Sequence, residues 1–184
     1  YGVKTTERIL EDFLTERPIT VRCRTHKASL REIVTSLKSQ GVTVEQAPYL
    51  PYALKISDYN HILTLETFLQ GKILVQDVSS MLVAEAASPK KGDHIIDMCA
   101  APGGKSIHAA DKMGDYGNVD ARDVSQYKAD LIEENIHRTG VINVEARVQD
   151  ATVYDPDSEQ AADIVIADVP CSGYGVIGKK PEIK

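Results

Sequence analysis

The spacing of apolar residues divides the chain into two styles. Thr6 to Leu14 reads as a short amphipathic helix, and Ile19 to Arg24 alternates like a strand. Leu30, Ile33, Val34 and Leu37 recur at helical spacing, which predicts a helix over Ser29–Ser39 that Gly41 stops. Extended pieces are expected near Val42–Val44 and Tyr52–Ile56, with Pro48 and Pro51 between them. These elements make a small α+β module over residues 1–70, and no motif in it names a function. A helix over Ser79–Ala87 should end before Pro89. From Gly92 onward strands and helices alternate, which is the signature of a parallel sheet. The strands are His94–Met98, Asn118–Arg122, Asn143–Val148 and Ile164–Ala167, and the helices are Lys105–Lys112 and Ser125–Thr139, the latter ended by Gly140. The expected fold is α/β, with a Rossmann-like sheet over residues 71–184.

Composition narrows the setting. A chain of 184 residues can bury a substantial core, and no apolar run approaches the roughly 20 residues of a membrane span. Cys23, Cys99 and Cys171 are far apart and form no CxxC pair. That argues against a disulfide framework or a metal site and suits a reducing cytoplasm. A monomer is expected. The chain opens on Tyr1 rather than Met, so further residues are expected upstream.

The net charge of −6 argues against wholesale nucleic-acid binding, but the charge is uneven. Residues 1–75 carry 10 Lys+Arg and 8 Asp+Glu, whereas residues 76–184 carry 11 and 19. Arg17, Arg22, Arg24, His26, Lys27 and Arg31 cluster within the first part. Such a patch can hold phosphates even on an acidic protein, and a solvated face explains it equally well. Arg22, Arg24 and Lys27 are the candidates for RNA contact.

Chemistry concentrates in the loops after the four parallel strands. The first loop is Cys99-Ala100-Ala101-Pro102-Gly103-Gly104-Lys105-Ser106. Two glycines before a helix let backbone N–H groups approach an anion, and the helix N-terminus favours negative charge. A Walker loop needs glycine where Cys99 stands, and the G-x-G-x-x-G of dinucleotide sites is absent. A ligand bearing a carboxylate, such as S-adenosylmethionine, remains. Asp123 ends the second strand about 20 residues past the glycine turn, where an acidic side chain accepts bonds from ribose hydroxyls. Asp120 competes for that role, but Asp123 falls at the strand's edge. Asp150 follows the third strand, positioned for an adenine amino group, and Asp168 follows the fourth. Cys171 lies beyond it in Asp168-Val169-Pro170-Cys171-Ser172-Gly173. A thiol there is either a nucleophile at a ligand site or a small buried hydrophobe.

Asp97-Met98-Cys99-Ala100-Ala101-Pro102-Gly103-Gly104-Lys105 and the Asp168–Gly173 stretch resemble motifs of the Sun/Fmu family of RNA (cytosine-5) methyltransferases, in its bacterial small-subunit rRNA branch. Val75-Gln76-Asp77-Val78-Ser79-Ser80 and Leu131-Ile132-Glu133-Glu134-Asn135, with Arg138 and Gly140, add to the likeness, as do Gly175-Val176-Ile177 and Pro181-Glu182-Ile183-Lys184. The resemblance is specific over residues 70–184 and looser over 1–70, where it implies a partial RRM-like module. It implies a class I methyltransferase sheet, of which the first four strands are present. Cys99, Ala100, Ala101, Pro102, Gly103, Gly104 and Lys105 then form the S-adenosylmethionine loop. Asp123 takes the ribose, Asp150 the adenine side, and Asp168 lies between cofactor and target base.

In that family the attacking cysteine comes from a Thr-Cys motif after a later strand, and the Pro-Cys residue assists product release. No Thr-Cys pair occurs in these 184 residues. Cys171 is therefore expected to act in release, with nucleophilic attack as the alternative that DNA cytosine-5 methyltransferases suggest. Cys99 belongs to the cofactor loop. The attacking thiol is expected beyond residue 184, and the isolated chain is expected to be catalytically silent and unstable or aggregation-prone, with an unpaired last strand. Two other readings stand beside this one: a cofactor- and RNA-binding protein without catalysis, and a nicotinamide-dependent oxidoreductase. The missing fingerprint and the Pro-Cys loop count against the second.

Overall fold

A computed structural model describes residues 1–13, 18–114 and 116–171. Ile19–Val169 forms one compact unit, and the described residues on either side of it belong to a second. In the second unit, helix α1 spans Val3–Phe13. Leu14, Arg17, and the Gly175–Ile177 and Pro181–Lys184 stretches lie outside the described residues.

The larger unit holds two sheets. The first is antiparallel, with strands β1 (Ile19–Cys23), β2 (Thr43–Gln46), β3 (Ala53–Ser57) and β4 (Ile73–Val75) in the order β2-β3-β1-β4. Helix α2 (Leu30–Ser39) lays Ile33 and Leu37 on it, in a core with Val21, Leu54, Ile56 and Ile73. Its start is a capping box: the Glu32 amide donates to Ser29 Oγ at 3.3 Å, and the Ser29 amide donates to Glu32 Oε2 at 2.8 Å. A short helix α3 (Glu66–Leu69) precedes β4. The antiparallel sheet thus runs on through Val75, past the boundary at residue 70 that the apolar spacing suggests. Ile73-Leu74-Val75 is too short to show a period.

Helix α4 (Val78–Ala87) leads to the second sheet, which is parallel and ordered β7-β6-β5-β8. Its strands are β5 (His94–Asp97), β6 (Asn118–Asp123), β7 (Val144–Val148) and β8 (Ile164–Ile166), with helices α5 (Gly104–Met113) and α6 (Gln126–Thr139) as crossovers. Ile95, Val119, Ala121 and Ile166 from the sheet pack with Ala109, Met113 and Ile132 from the helices. β5 and β8 read as apolar runs, Ile95-Ile96 and Ile164-Val165-Ile166, whereas β6 and β7 read as alternation, Val119 and Ala121, then Val144, Ala146 and Val148. β8 is an edge strand among the described ones, and its Val165 is exposed.

Buried charge joins the two sheets. Arg22 and Arg24, both on the antiparallel side, are 2% exposed. Arg22 Nη1 lies 2.7 Å from Asp111 Oδ2, and Arg24 Nη2 lies 2.5 Å from Asp111 Oδ1. Arg24 Nη1 also donates to the carbonyls of Thr139 at 2.6 Å and Gly71 at 3.1 Å. The expectation of RNA contact is corrected for these two residues, because guanidinium groups sealed against Asp111 face no phosphate. Lys27 is exposed, but its Nζ donates to the Thr139 carbonyl. Nearby, His108 of α5 meets Tyr52 edge-on at 5.6 Å, and burial, with Arg22 close by, pushes its pKa down to about 3. Among the described residues, no helix is long and apolar enough to cross a membrane.

Candidate functional site

The loop after β5 is threaded between its neighbours before α5 begins. The Met98 amide donates to the Ile166 carbonyl at 2.9 Å and the Ala100 amide to the Arg122 carbonyl at 2.8 Å. The Ala101–Pro102 peptide is cis. Gly103 caps α5 with φ at +95°, and a Cβ there would lie 3.3 Å from Ile132 Cγ2. Glycine answers both constraints, the left-handed backbone and the close approach of α6. Its own amide turns back to the Ala100 carbonyl at 2.6 Å. The open amides of the helix start are therefore those that follow it.

Carboxylates close around this loop. Asp123 Oδ2 accepts the Ala101 amide at 3.0 Å, Oδ1 accepts the Val124 amide at 2.8 Å, and Lys128 Nζ lies 2.9 Å from Oδ1. Burial opposes its ionisation, but Lys128 and the two amides outweigh burial and hold its pKa below the usual carboxylate range. Asp120 is buried too, yet its Oδ2 binds Arg122 at 2.5 Å. Of the two candidates, it is Asp123 that meets the loop. Asp168, with a side chain 59% exposed, pairs with Lys105 Nζ at 2.5 Å. Asp150 is exposed and accepts the Thr152 amide at 2.9 Å and hydroxyl at 2.7 Å. These bonds hold its pKa below the ordinary value. It borders a cleft of about 320 Å³ shared with Met98, Ala151 and Val165.

Two groups were not singled out from sequence. Asp97 is fully buried; its Oδ2 accepts the Ser106 hydroxyl at 2.7 Å, and its Oδ1 has no well-aligned partner. Burial pushes its pKa up to about 6, against the pull of Ser106 and Lys105. An acidic residue closing the apolar run Ile95-Ile96 was the available signal. Lys128 carried none, because its value lies in reaching Asp123 from the first turns of α6.

The thiols differ in setting. Cys23 is buried, which pushes its pKa up to about 12. Burial and then Asp123 raise Cys99. Cys171 is exposed.

Residues 84–184, more than half of the chain, match the family described as 16S rRNA methyltransferase RsmB/F. The chain belongs to this family. The RsmB/F region takes in the whole Cys99–Lys105 loop, Asp123 and Asp168 beside it, and Asp150 at its own cleft. The probable ribosomal RNA small subunit methyltransferase B of Bacillus subtilis is 36% identical over all of this chain, which covers 41% of that protein. The human 28S rRNA (cytosine(4447)-C(5))-methyltransferase is 34% identical over 91% of the chain and is covered to 21%. A methyltransferase homologue from Pyrococcus horikoshii superposes with a TM-score of 0.77 at 31% identity, over 92% of this chain and 56% of that one. The chain thus spans less than half the length of both curated relatives. It shares its α/β fold with the Pyrococcus horikoshii homologue.

Proposed function

We propose that this chain carries the methyl-donor site of an S-adenosylmethionine-dependent rRNA (cytosine-5) methyltransferase, acting in the cytoplasm. The observation that carries the reading is the Asp123 carboxylate bonded to the Ala101 amide beside the Gly103 cap. A carboxylate has about four acceptor sites, and with the Ala101 and Val124 amides and Lys128 on Asp123 about one remains for a ribose hydroxyl. A second becomes available where the hydroxyl takes the place of Lys128. The first amides of α5 suit the donor's carboxylate, and Asp97, whose Oδ1 has no well-aligned partner among the described residues, suits a cationic group. Asp150, at its cleft, suits the adenine side. Bound there, S-adenosylmethionine supplies an electrophilic methyl group.

The remaining steps belong to side chains. Carbon 5 of cytosine becomes nucleophilic once a thiolate adds to carbon 6, and loss of the carbon 5 proton then lets the thiolate leave. Asp168, free to exchange Lys105 for a base, would hydrogen-bond the cytosine ring and stabilise the adduct. Cys23 and Cys99 are poor thiolates, since burial favours their neutral forms. Cys171 is assigned to product release, and the attack to the Thr-Cys motif that the family resemblance implies. The antiparallel module, read as partial RRM-like, would present RNA, with Lys27 as its remaining basic candidate. The base must leave its stack, which favours single-stranded or flexible RNA.

Calorimetry on the full-length protein tests the donor. Binding of S-adenosylmethionine, abolished or strongly weakened in Asp123→Ala, supports the reading; binding of NAD instead would overturn it. Cys171→Ala in the same protein should still form the adduct but retain RNA covalently.

A further inference from the structure

Asn135 and Arg138 lie one turn apart on α6 and belong to a motif that the methyl-donor site does not use. Arg138 Nη1 donates to the carbonyls of Phe68 at 2.8 Å and Ile73 at 3.3 Å, both on the antiparallel side, and its guanidinium sits 3.9 Å from the centre of the Phe68 ring. Its Nη2 donates to Asn135 Oδ1 at 2.6 Å. A guanidinium has no acceptor, so this bond fixes which way the Asn135 amide faces. The amide nitrogen then points at the Pro102 carbonyl at 3.0 Å, with the Leu131 carbonyl at 3.2 Å.

The Pro102 carbonyl shares its peptide plane with the Gly103 amide, which donates to the Ala100 carbonyl. That plane is thus held from both ends, immediately before the outward amides of α5. A second amide, that of Gln76, lies beside the loop without bonding to it, its Nε2 having no partner among the described residues. Arg22 Nε donates to Gln76 Oε1 at 2.9 Å, and Gln76 Cδ lies 3.9 Å from where a Gly104 Cβ would be.

We infer that Asn135, oriented by Arg138, is a positioning residue for the methyl-donor loop, and that Arg138 ties the shape of that loop to the antiparallel module. This rests on the S-adenosylmethionine reading of the loop. The test is steady-state kinetics and donor calorimetry on full-length Asn135→Ala and Arg138→Lys, with their melting temperatures. In Asn135→Ala the donor Kd and KM should rise about tenfold, as for a lost hydrogen bond in a bound state, while kcat at saturating donor and the KM for RNA hold within about twofold. Arg138→Lys keeps the cation but not the fork, and should shift the same two constants in the same direction. It also serves should Asn135→Ala not fold. Unchanged donor constants in a folded variant, or a rise confined to the RNA KM, would overturn the inference alone. A parent protein that binds no S-adenosylmethionine would overturn both it and the underlying reading.

Discussion

Arg24 holds a carboxylate and two main-chain carbonyls at once, with 2% of its surface exposed. Removing one member of a buried pair strands the other charge, which costs about 3–5 kcal/mol. Asp111 is the shared partner of both guanidiniums, so Asp111→Ala, which strands Arg22 and Arg24 together, should lower stability by at least that order, measured by urea denaturation. A variant within about 1 kcal/mol of the parent would show the pair to be dispensable. Replacing Arg22 or Arg24 should leave the salt dependence of RNA binding unchanged in whatever protein remains folded.

Asp97 and His108 make opposite pH contributions. Asp97 has a folded pKa of about 6, above its unfolded value, so its contribution to stability falls as pH rises from about 4 to 6. His108 has a folded pKa of about 3, below its unfolded value, so its contribution falls as pH drops from about 6.5 towards 3. Between about pH 4 and 6 the two largely offset. Asp97→Asn should therefore lose stability more steeply on acidification across that range than the parent does, by up to about 3 kcal/mol. Parallel stability-against-pH curves would show that Asp97 is not held protonated by burial. The loop chemistry around these residues was legible because glycines and strand-end carboxylates are visible as residue types. The role of Arg22 and Arg24 was not. Charge in a sequence names no partner, and Asp111 lies far along the chain.

At the scale of elements, two glycines with left-handed backbones differ in what surrounds them. Gly41, after α2, has φ at +80° and open space where a Cβ would go. Gly71, before β4, has φ at +62°, and a Cβ would fall 2.5 Å from the Arg138 carbonyl oxygen. Gly41→Ala should cost only the left-handed backbone, about 1–2 kcal/mol. Gly71→Ala must also push α6 from the antiparallel side, and thermal melts should show a clearly larger loss. Equal losses would contradict the close packing of β4 against α6. β5 and β8 are readable from their apolar runs and β6 and β7 from alternating apolar residues, and β6 extends to Asp123, one residue beyond its expected end at Arg122. β4 escaped because its pairing with β1, Val21 to Val75 and Cys23 to Ile73, is a tertiary fact with no local signature.

For the molecule as a whole, the two sheets share one compact unit, and their contacts converge on α5 and α6, the helices that flank the donor loop. The apolar spacing tells an α+β style from an alternating α/β style but says nothing of this junction. The junction consists of polar side chains that a periodicity analysis treats as surface. The activity proposed for the protein is methylation of carbon 5 of a cytosine in rRNA. Bisulfite sequencing of rRNA tests it, comparing cells that carry the intact gene, lack it, or carry Asp168→Ala. One or a few cytosines in small-subunit rRNA should be protected with the intact gene and converted in the other two. An identical protection pattern in all three would contradict it.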